Sequence, residues 1–399
     1  MGGENGDEQL SPSTLFPHDA DSVKLLHFRS ALRTIYSICT QSLLSLPAMR
    51  SGQSCIPKLT RRWNTKLFLL TLVLICIFVS LPWVPHSGGY RPETITILLW
   101  YWPFHTPYSL AGDVCLESYG ISGCRLVDNR SLYSIADIVV FHHHELKSKR
   151  QKLPLHLPRS GSQRWLWLSL EAPPNNGNLR QYAGIFNLTM SYGPNADITV
   201  PYGKLMPREK SGAAGPGDFI MTRNKTDLVC WVVSNYNKLH KRSRVYQQLK
   251  NTIPVHVYGY AVKRRVPQTE LLNIISRCYF YLSFENTESP HYITEKLWRN
   301  AFQAGTVPVV LGPPRRDYEA VAPPNSFIHV DDFDSIDALG KFLKNLSTDA
   351  ERYKSYFAWH QDSTVKLYTD WRERLCNICP IYERLPYKTY QDLNAWARW

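Results

Sequence analysis

An acid and a base, Glu295 and Lys296, stand side by side in the stretch ESPHYITEKLWRNAFQAGTVPVVLGPP, residues 288–314. The stretch follows the apolar run YFYLSFEN, and its pattern places the pair near the start of a helix. Free backbone amides and the helix dipole favour an anion there, and the Lys296 ammonium is a movable cation suited to phosphate oxygens. The pair therefore indicates a phosphate-binding site, with an exposed Glu-Lys pair on an ordinary helix as the alternative.

Further polar side chains could complete such a site. Arg242 belongs to a predicted basic helix, and its guanidinium could make two parallel hydrogen bonds to a diphosphate. Asn286 and Tyr292 offer neutral hydrogen bonds, and the Glu295 carboxylate could accept from ribose or sugar hydroxyls. The residues predicted on the rim of the site, after the ends of strands, are Ser234, Asn235, Glu285 and Asn286.

Glu171 closes the apolar run RWLWLSLE. A carboxylate that follows a buried strand and faces a cleft can act as a general base. Residue type alone favours a helix or turn cap.

Three consecutive histidines in FHHHEL, 141–146, invite interpretation as a metal site. Successive strand residues point to opposite faces, so at most His142 and His144 share one side. Two ligands without a third make a weak zinc site, so substrate contacts or packing are favoured and no metal is predicted. The DFD at 332–334 is interpreted as a helix cap.

Strands alternate with helices from residue 94 onward, which predicts an α/β fold with parallel, doubly wound sheets. Ligands of such sheets bind at the carboxyl ends of the strands. The predicted strands are 94–102, 136–143, 164–171, 196–203, 228–235, 255–260, 279–286 and 307–312, and the predicted helices are 237–252, 269–277 and 292–305. The segment 204–226 is rich in Gly, Pro and charged residues, which predicts a linker. We therefore predict two Rossmann-like domains, 94–215 and 216–399, facing a cleft.

The chain of 399 residues has a net charge of +13 and 44% hydrophobic residues, which is typical of a globular protein with anionic partners. Nucleotide, acidic glycan and membrane surface all fit this charge. The sequence shows no zinc-finger spacing and no RNP or helix-turn-helix signature, so nucleic acid is not a predicted partner.

An uncharged apolar run, LFLLTLVLICIFVSLPWV at 67–84, would be about 27 Å long as a helix and predicts one transmembrane signal anchor. Basic residues just before it should stay in the cytosol, so the chain after it faces the lumen. Its length suits the thinner bilayers of the secretory pathway. Residues 1–66 are then a weakly ordered cytosolic tail and 85–93 a short stem, with Met1 and Met49 both open as starts.

Cysteines and glycosylation sequons agree with a luminal location. An even number of luminal cysteines suggests disulfides, and the candidates are Cys115, Cys124, Cys230, Cys278, Cys376 and Cys379. Cys115 and Cys124 bracket a short loop, and the C-x-x-C that begins at Cys376 is interpreted as a structural staple. Cys230 and Cys278 both lie at strand starts and could pair with each other. The sequons are at Asn129, Asn187, Asn224 and Asn345.

With these residues in view, the chain from about 94 to 399 resembles the alpha-1,3-fucosyltransferases, most of all their leukocyte type, which makes sialyl Lewis x. Matching stretches include TITILLWYWPF, CRLVDNRSLYSIADIVVFHHHEL, WVVSN, FYLSFEN, YITEKLWRNAFQAGTVPVVLGPP and DWRERLCNIC. FEN followed by YITEK is highly specific to this family, whereas the Rossmann-like pattern is not. His144, Ala172 and His291 depart from the family pattern, which bears on acceptor choice more than on donor use.

The resemblance implies a type II Golgi membrane enzyme of the GT-B kind that uses GDP-fucose, inverts the anomeric centre and needs no cofactor. By motif position Glu171 matches the general base. The expected donor-binding residues are Arg242, Asn286, Tyr292, Glu295, Lys296, Asn235 and Ser234. The candidate acceptor-binding residues are His142, His144, Glu145, Tyr192 and Trp102.

The expected reaction moves L-fucose from GDP-fucose, in alpha-1,3 linkage, to the GlcNAc of alpha-2,3-sialylated type 2 lactosamine on glycoproteins and glycolipids. One alternative is the same transfer to neutral lactosamine. Others are a GT-B enzyme that uses a donor such as UDP-GlcNAc, and a Golgi glycan-binding relative with weak catalysis. Homodimerisation is also left open.

Overall fold

The computed structural model describes residues 94–149, 151–208 and 224–398. The predicted cytosolic tail, membrane span (67–84) and stem lie outside these residues. Within the described ranges no helix has both the length and the apolar composition needed to cross a membrane.

The first sheet has six parallel strands in the order β2-β1-β3-β4-β5-β6. They are β1 (Ile95–Leu99), β2 (Cys124–Val127), β3 (Ile138–His142), β4 (Arg164–Leu168), β5 (Leu188–Ser191) and β6 (Ile198–Thr199). Strands β1, β3 and β4 are buried at every position because hydrophobic clusters cover both faces of the sheet. Three of the strands predicted here are confirmed with tighter bounds, whereas 196–203 contains the two-residue β6 and only the first residue of the next strand.

The second sheet has five parallel strands in the order β12-β11-β10-β8-β9. They are β8 (Asp227–Val232), β9 (Val255–Tyr258), β10 (Cys278–Phe284), β11 (Val307–Leu311) and β12 (Ile328–His329). The four strands predicted for this half are confirmed, and β12 is an addition.

Both sheets share one winding order, in which the first strand lies between the second and the third. The order reverses between β1 and β3 in the first sheet and between β8 and β10 in the second. Such a switch point opens a crevice at the carboxyl ends of the strands, because the connections leave it in opposite directions. The α/β prediction is confirmed, and each sheet has one crevice.

Short helices connect the strands. They are α1 (Val114–Tyr119), α2 (His143–Lys147), α3 (Pro173–Asn176), α4 (Lys241–Leu249), α5 (Leu271–Ile275), a π-helix (Lys296–Gln303), α6 (Arg315–Glu319), α7 (Ile336–Thr348), α8 (Ala350–Ser355), α9 (Trp371–Cys376) and α10 (Leu393–Trp396). Seven 3₁₀-helices lie at Pro103–His105, Arg130–Ile135, Arg180–Tyr182, Tyr260–Val262, Val330–Asp332, Ala358–Gln361 and Cys379–Arg384. The predicted cap at 332–334 is wrong, because the Ser335 side chain caps α7 and Asp332 pairs with Arg315.

The predicted linker begins as a strand. Strand β7 (Gly203–Pro207) pairs in antiparallel register with β13 (Ser363–Leu367), so residues 204–207 are paired rather than irregular. Residues 209–223 lie outside the described residues. The first part of the linker prediction is therefore wrong, since local composition does not show a partner strand so distant in sequence.

The C-terminal segment packs on the first sheet. Trp371, Leu375 and Ile378 join the cluster on one face, and Leu393 and Ala397 join the cluster on the other. Residues from 371 onward therefore share a core with the predicted N-terminal domain, and the prediction that 216–399 forms one domain is wrong for this segment. The chain crosses to the second sheet and returns.

The described residues contain three disulfides, and two of them hold the C-terminal segment on the first sheet. Each cysteine of the loop pairs with one of the C-x-x-C, giving Cys115–Cys376 and Cys124–Cys379 with Cα atoms 5.5 and 5.7 Å apart. The third bridge joins neighbouring strands of the second sheet, Cys230–Cys278, as the sequence suggested. The C-x-x-C is thus a staple that fastens the C-terminal segment to the first sheet.

The four sequons differ in their surroundings. Asn129, Asn224 and Asn345 are exposed. The Asn187 side chain is half-buried, accepts a hydrogen bond from the Trp165 amide and donates to the Lys388 carbonyl. Because its amide nitrogen already has a partner in the fold, Asn187 is the sequon least suited to carry a glycan.

Removing the two staple disulfides singly and together should show a non-additive loss of stability. Either bridge alone still closes a loop of some 255 residues, so the loss of one opens only a short loop and should cost about 3 kcal/mol. Loss of both frees the long loop and should cost more than the sum. Denaturant unfolding of Cys115→Ser/Cys376→Ser, Cys124→Ser/Cys379→Ser and the quadruple variant measures this, and additive losses would contradict the pairing.

Candidate active site

The carboxyl ends of β8 and β10 border a pocket of about 440 Å³ at the second switch point. The predicted rim residues Ser234, Asn235 and Asn286 line it. Glu295 and Lys296 line it from the start of the π-helix. The structure therefore brings these five side chains, which belong to three separate stretches of sequence, to one crevice.

Lys296 is held by three partners within the fold. Its Nζ lies 2.8 Å from Thr294 Oγ1, 3.0 Å from Glu285 Oε2 and 3.2 Å from Glu295 Oε1. An ammonium group has three N–H donors, so all three are engaged. The prediction of a movable cation is wrong here, and a phosphate can gain a donor only by replacing one of these contacts. Glu295, whose side chain is 41% exposed, is the replaceable partner.

Glu285 occupies the anion position at the helix start. Its side chain is 1% exposed, and it accepts hydrogen bonds from the Thr294 amide at 2.8 Å and the Thr294 hydroxyl at 2.9 Å. Gly312 passes so close that an added Cβ would lie 2.9 Å from Glu285 Cγ. The free amide predicted to attract a ligand is therefore bonded to the chain's own carboxylate, which fixes Lys296 beside the pocket.

Electrostatics within this group favour the charged forms of Lys296 and Glu295. Burial works to lower the pKa of Lys296, but Glu285 and Glu295 outweigh it and raise that pKa. Burial also works to raise the pKa of Glu295, but the Lys296 ammonium outweighs it and lowers that pKa. Burial raises the pKa of Glu285, and the Lys296 ammonium, which works to lower that pKa, only partly offsets the effect. Lys296 is therefore a permanent cation at neutral pH.

Arg242 links the carboxyl ends of two neighbouring strands at the switch point. The residue is 5% exposed, and its guanidinium donates to the backbone carbonyls of Asn235, after β8, and Phe284, at the end of β10. Its Nε is buried without a hydrogen-bond partner in the described part of the chain, and so is Oδ1 of Asn286. Both residues line the pocket, so two polar groups that the fold leaves unpaired lie next to it.

A larger pocket of about 770 Å³ adjoins the first. The two pockets share Asn235, Asn286, Glu295 and Arg299, so they form one continuous cleft. The larger pocket extends over the carboxyl ends of the first sheet and onto the C-terminal segment. The cleft therefore joins the switch points of both sheets.

Glu171 lies in the larger pocket, three residues after the end of β4. Its Oε2 accepts hydrogen bonds from Asn175 Nδ2 at 3.1 Å and from the Tyr292 hydroxyl at 3.3 Å. The side chain is otherwise exposed to the cleft. Tyr292 belongs to the stretch that leads into the π-helix, so Glu171 stands where the two halves of the cleft meet.

All three histidines of FHHHEL line the larger pocket. The prediction that only His142 and His144 share a side is wrong, because β3 ends at His142 and helix α2 begins at His143. His142 Nδ1 pairs with Glu145 Oε2 at 2.5 Å, and the fully buried Glu145 also accepts from the Phe104 amide. Burial lowers the pKa of His143 to about 4, so its ring is neutral. These groups form a fixed wall.

Three predicted acceptor residues line neither pocket, and one of them is Glu145, which is buried behind His142. Trp102 donates to Asp128 at 2.8 Å, packs on Tyr108 and lines neither pocket. Tyr192 packs against Tyr292 with the two rings tilted and their centroids 5.0 Å apart, and it lines neither pocket. Tyr292, predicted to bind the donor, contacts Glu171 instead and lines neither pocket.

Sequence reasoning missed part of the site. Residues it did not single out are Arg299, Tyr202, Tyr368, Trp371 and Arg374, all of which line the larger pocket. The stretch DWRERLCNIC was the available signal, because it combines two arginines with a tryptophan beside the staple cysteines. Its position in the cleft follows from the return of the chain to the first sheet.

Known proteins match most of the described chain. Residues 92–203 match the family described as "Fucosyltransferase, N-terminal", and residues 222–396 match "Glycosyltransferase family 10 (fucosyltransferase) C-term". "Alpha-(1,3)-fucosyltransferase 7" of Rattus norvegicus is 44% identical over 84% of this chain and 88% of its own length. The Homo sapiens protein of that name is 46% identical over 82% and 92%.

A crystal structure described as alpha1,3-fucosyltransferase with GDP-fucose superposes with a TM-score of 0.49 at 17% identity, over 76% of this chain and 94% of that one. A third relative among the curated proteins, "Alpha-(1,3)-fucosyltransferase 7" of Bos taurus, is 47% identical over 78% of this chain and 88% of its own length. The relatives in rat, cow and human thus align over most of both sequences.

Glu285→Gln should lower the free energy of unfolding by about 3 kcal/mol, because it leaves the charge of Lys296, whose side chain is only 15% exposed, without its inner partner. Glu295→Gln is the matched control, since it removes the exposed partner of the same ammonium and should cost less than about 1 kcal/mol. Urea denaturation of both variants measures the difference. Equal losses would show that Glu285 does not fix Lys296.

Proposed function

Because the chain belongs to glycosyltransferase family 10, the fucosyltransferases, we propose that it is an inverting alpha-1,3-fucosyltransferase that uses GDP-fucose. The observation that carries this proposal is the continuous cleft between the two switch points. One end is lined by the cations Lys296 and Arg242, and the other by the carboxylate Glu171. Two Rossmann-like halves around such a cleft are the GT-B arrangement.

The donor occupies the second-sheet pocket in this proposal. The diphosphate lies at the π-helix start, where it displaces Glu295 from Lys296 and lies beside the guanidinium of Arg242. Ser234, Asn235 and the Asn286 amide oxygen supply neutral hydrogen bonds. As the bond to fucose breaks, negative charge grows on the departing GDP, and the fixed cations stabilise it.

Glu171 acts as the general base. It takes the proton from the GlcNAc 3-hydroxyl as that oxygen attacks the anomeric carbon from the face opposite GDP, through a transition state with oxocarbenium character. A single displacement with one base inverts the anomeric centre. The Tyr292 and Asn175 hydrogen bonds orient the carboxylate, leaving its other oxygen to the acceptor.

The acceptor is type 2 lactosamine on glycoproteins and glycolipids, alpha-2,3-sialylated, and the product is of the sialyl Lewis x type. The cations Arg299 and Arg374 in the wall of the larger pocket support an anionic acceptor over the neutral one. The location proposed with this activity is the Golgi membrane, with type II topology and a luminal catalytic part.

Glu171→Gln should lower the turnover number at least about 100-fold, because an amide cannot take the proton of the acceptor hydroxyl. Affinity for GDP should stay within twofold of the parent, since Glu171 lies outside the second-sheet pocket. Radiolabelled transfer and calorimetric titration of GDP measure the two effects. Asn175→Ala, which keeps the carboxylate but removes one bond to it, is the control and should be milder. Near-normal turnover of Glu171→Gln would remove this residue from the mechanism.

Chelation should leave the reaction intact. Lys296 and Arg242 provide permanent positive charge beside the pocket, so the leaving diphosphate has a charge partner without a divalent ion. Initial rates in excess EDTA should match untreated rates, and the Michaelis constant for GDP-fucose should be unchanged. A loss of turnover that Mn²⁺ restores would show that the cations do not suffice.

A further inference from the structure

Arg374 is a buried arginine with open hydrogen-bonding capacity. The residue is 6% exposed, one terminal nitrogen donates to the Tyr368 carbonyl, and Nε is buried without a partner in the described part of the chain. Burial lowers the pKa of its guanidinium, yet arginine remains charged at neutral pH. Burying a charge without a counter-ion is costly, and binding an anion offsets that cost.

The acids nearest to Arg374 in sequence are engaged elsewhere. Asp370 forms a 2.7 Å ion pair with Arg372, and Glu373 forms a 2.7 Å ion pair with Lys366. Both acids favour the charged guanidinium at longer range, but neither lies within ion-pair distance of it. Within the described ranges Arg374 thus has no carboxylate partner of its own.

Arg374 faces the half of the cleft that holds Glu171. It lines the larger pocket, not the pocket that contains Lys296. The Tyr202 ring lies 5.8 Å from its guanidinium, and the Tyr202 hydroxyl donates to the Leu170 carbonyl, one residue before Glu171. One aromatic side chain therefore separates the cation from the loop that carries the proposed base.

We propose that Arg374 binds the carboxylate of the acceptor's sialic acid and selects sialylated over neutral lactosamine. This inference rests on the proposed function, since it assigns a residue to the acceptor named there. A guanidinium matches a planar carboxylate with parallel N–H donors, which an ammonium cannot do. The donor diphosphate is the other anion of the reaction. Arg374 lines the larger pocket and not the pocket that contains Lys296, so we assign the diphosphate to Lys296 and the acceptor carboxylate to Arg374.

The preference for the sialylated acceptor follows from the state of Arg374 when a neutral acceptor is bound. With neutral lactosamine bound, water is displaced from the cleft and the buried guanidinium of Arg374 keeps its charge without an anionic partner. With the sialylated acceptor the carboxylate supplies that partner. A hydrogen bond to a charged partner should change the specificity constant by about 10- to 100-fold.

The test measures kcat/KM of the purified full-length chain for three acceptors: sialylated lactosamine, the same glycan with its carboxylate converted to a primary amide, and neutral lactosamine. The amide keeps the size of the sialic acid and removes its charge. The parent should prefer the acid over the amide about 10- to 100-fold. Arg374→Gln should abolish this preference, and Arg374→Lys should restore part of it.

Two control variants separate this role from general effects. Arg372→Gln removes a charge from the same helix, but from a residue paired with Asp370, and should keep the acid-over-amide preference. Lys147→Gln removes an exposed cation of the same pocket and should also keep it. Because the measure is a ratio between acceptors, a variant that folds less well does not imitate the result.

Several outcomes would overturn the inference. Arg374→Gln with an intact preference would do so, as would loss of the preference in Lys147→Gln alone. A raised Michaelis constant for GDP-fucose in Arg374→Gln would reassign the residue to the donor. If the parent transfers fucose but does not prefer the acid to the amide, the inference fails while the proposed transfer stands. If the parent transfers no fucose to any acceptor, the proposed function itself fails.

Discussion

The buried ion pair between Glu285 and Lys296 is the contact on which the site depends. A carboxylate that is 1% exposed would be unfavourable by itself, but here it accepts from an amide, a hydroxyl and an ammonium. Those three donors belong to Thr294 and Lys296, so one carboxylate at the end of β10 fixes the start of the next helix. The cation is thereby held at the switch point, and its exposed partner Glu295 can yield to a ligand.

The rest of the fold brings a base to that cation. Both sheets wind in the same order, and their two crevices join in one cleft. Contacts between the halves are specific: Tyr292 donates to Glu171, and Thr287 donates to Asn175 beside it. The C-terminal segment closes the far wall, held to the first sheet by two disulfides. The cleft therefore depends on chain segments more than 200 residues apart.

The parts that were predictable from sequence are those set by local pattern. Continuous apolar runs predicted β1, β3, β4, β10 and β11. Strands that are buried on both faces have apolar residues at every position and no alternation of apolar and polar residues. Strands β2 and β5, with the sequences CRLV and LTMS, were missed because they are short and partly polar. The helix start at Lys296 was anticipated, but its occupation by Glu285 was not, since that contact depends on tertiary geometry. Four cysteines allow three pairings, and no local pattern chooses among them.

The central claim is that the diphosphate binds the Glu285-anchored cation in the second-sheet crevice. A crystal structure of the full-length chain with GDP tests it most directly. The account predicts phosphate oxygens within hydrogen-bond distance of Lys296 Nζ, with Glu295 displaced and the contact between Lys296 and Glu285 retained. A diphosphate bound over the first sheet, or a Lys296 that leaves Glu285 to reach it, would contradict the account.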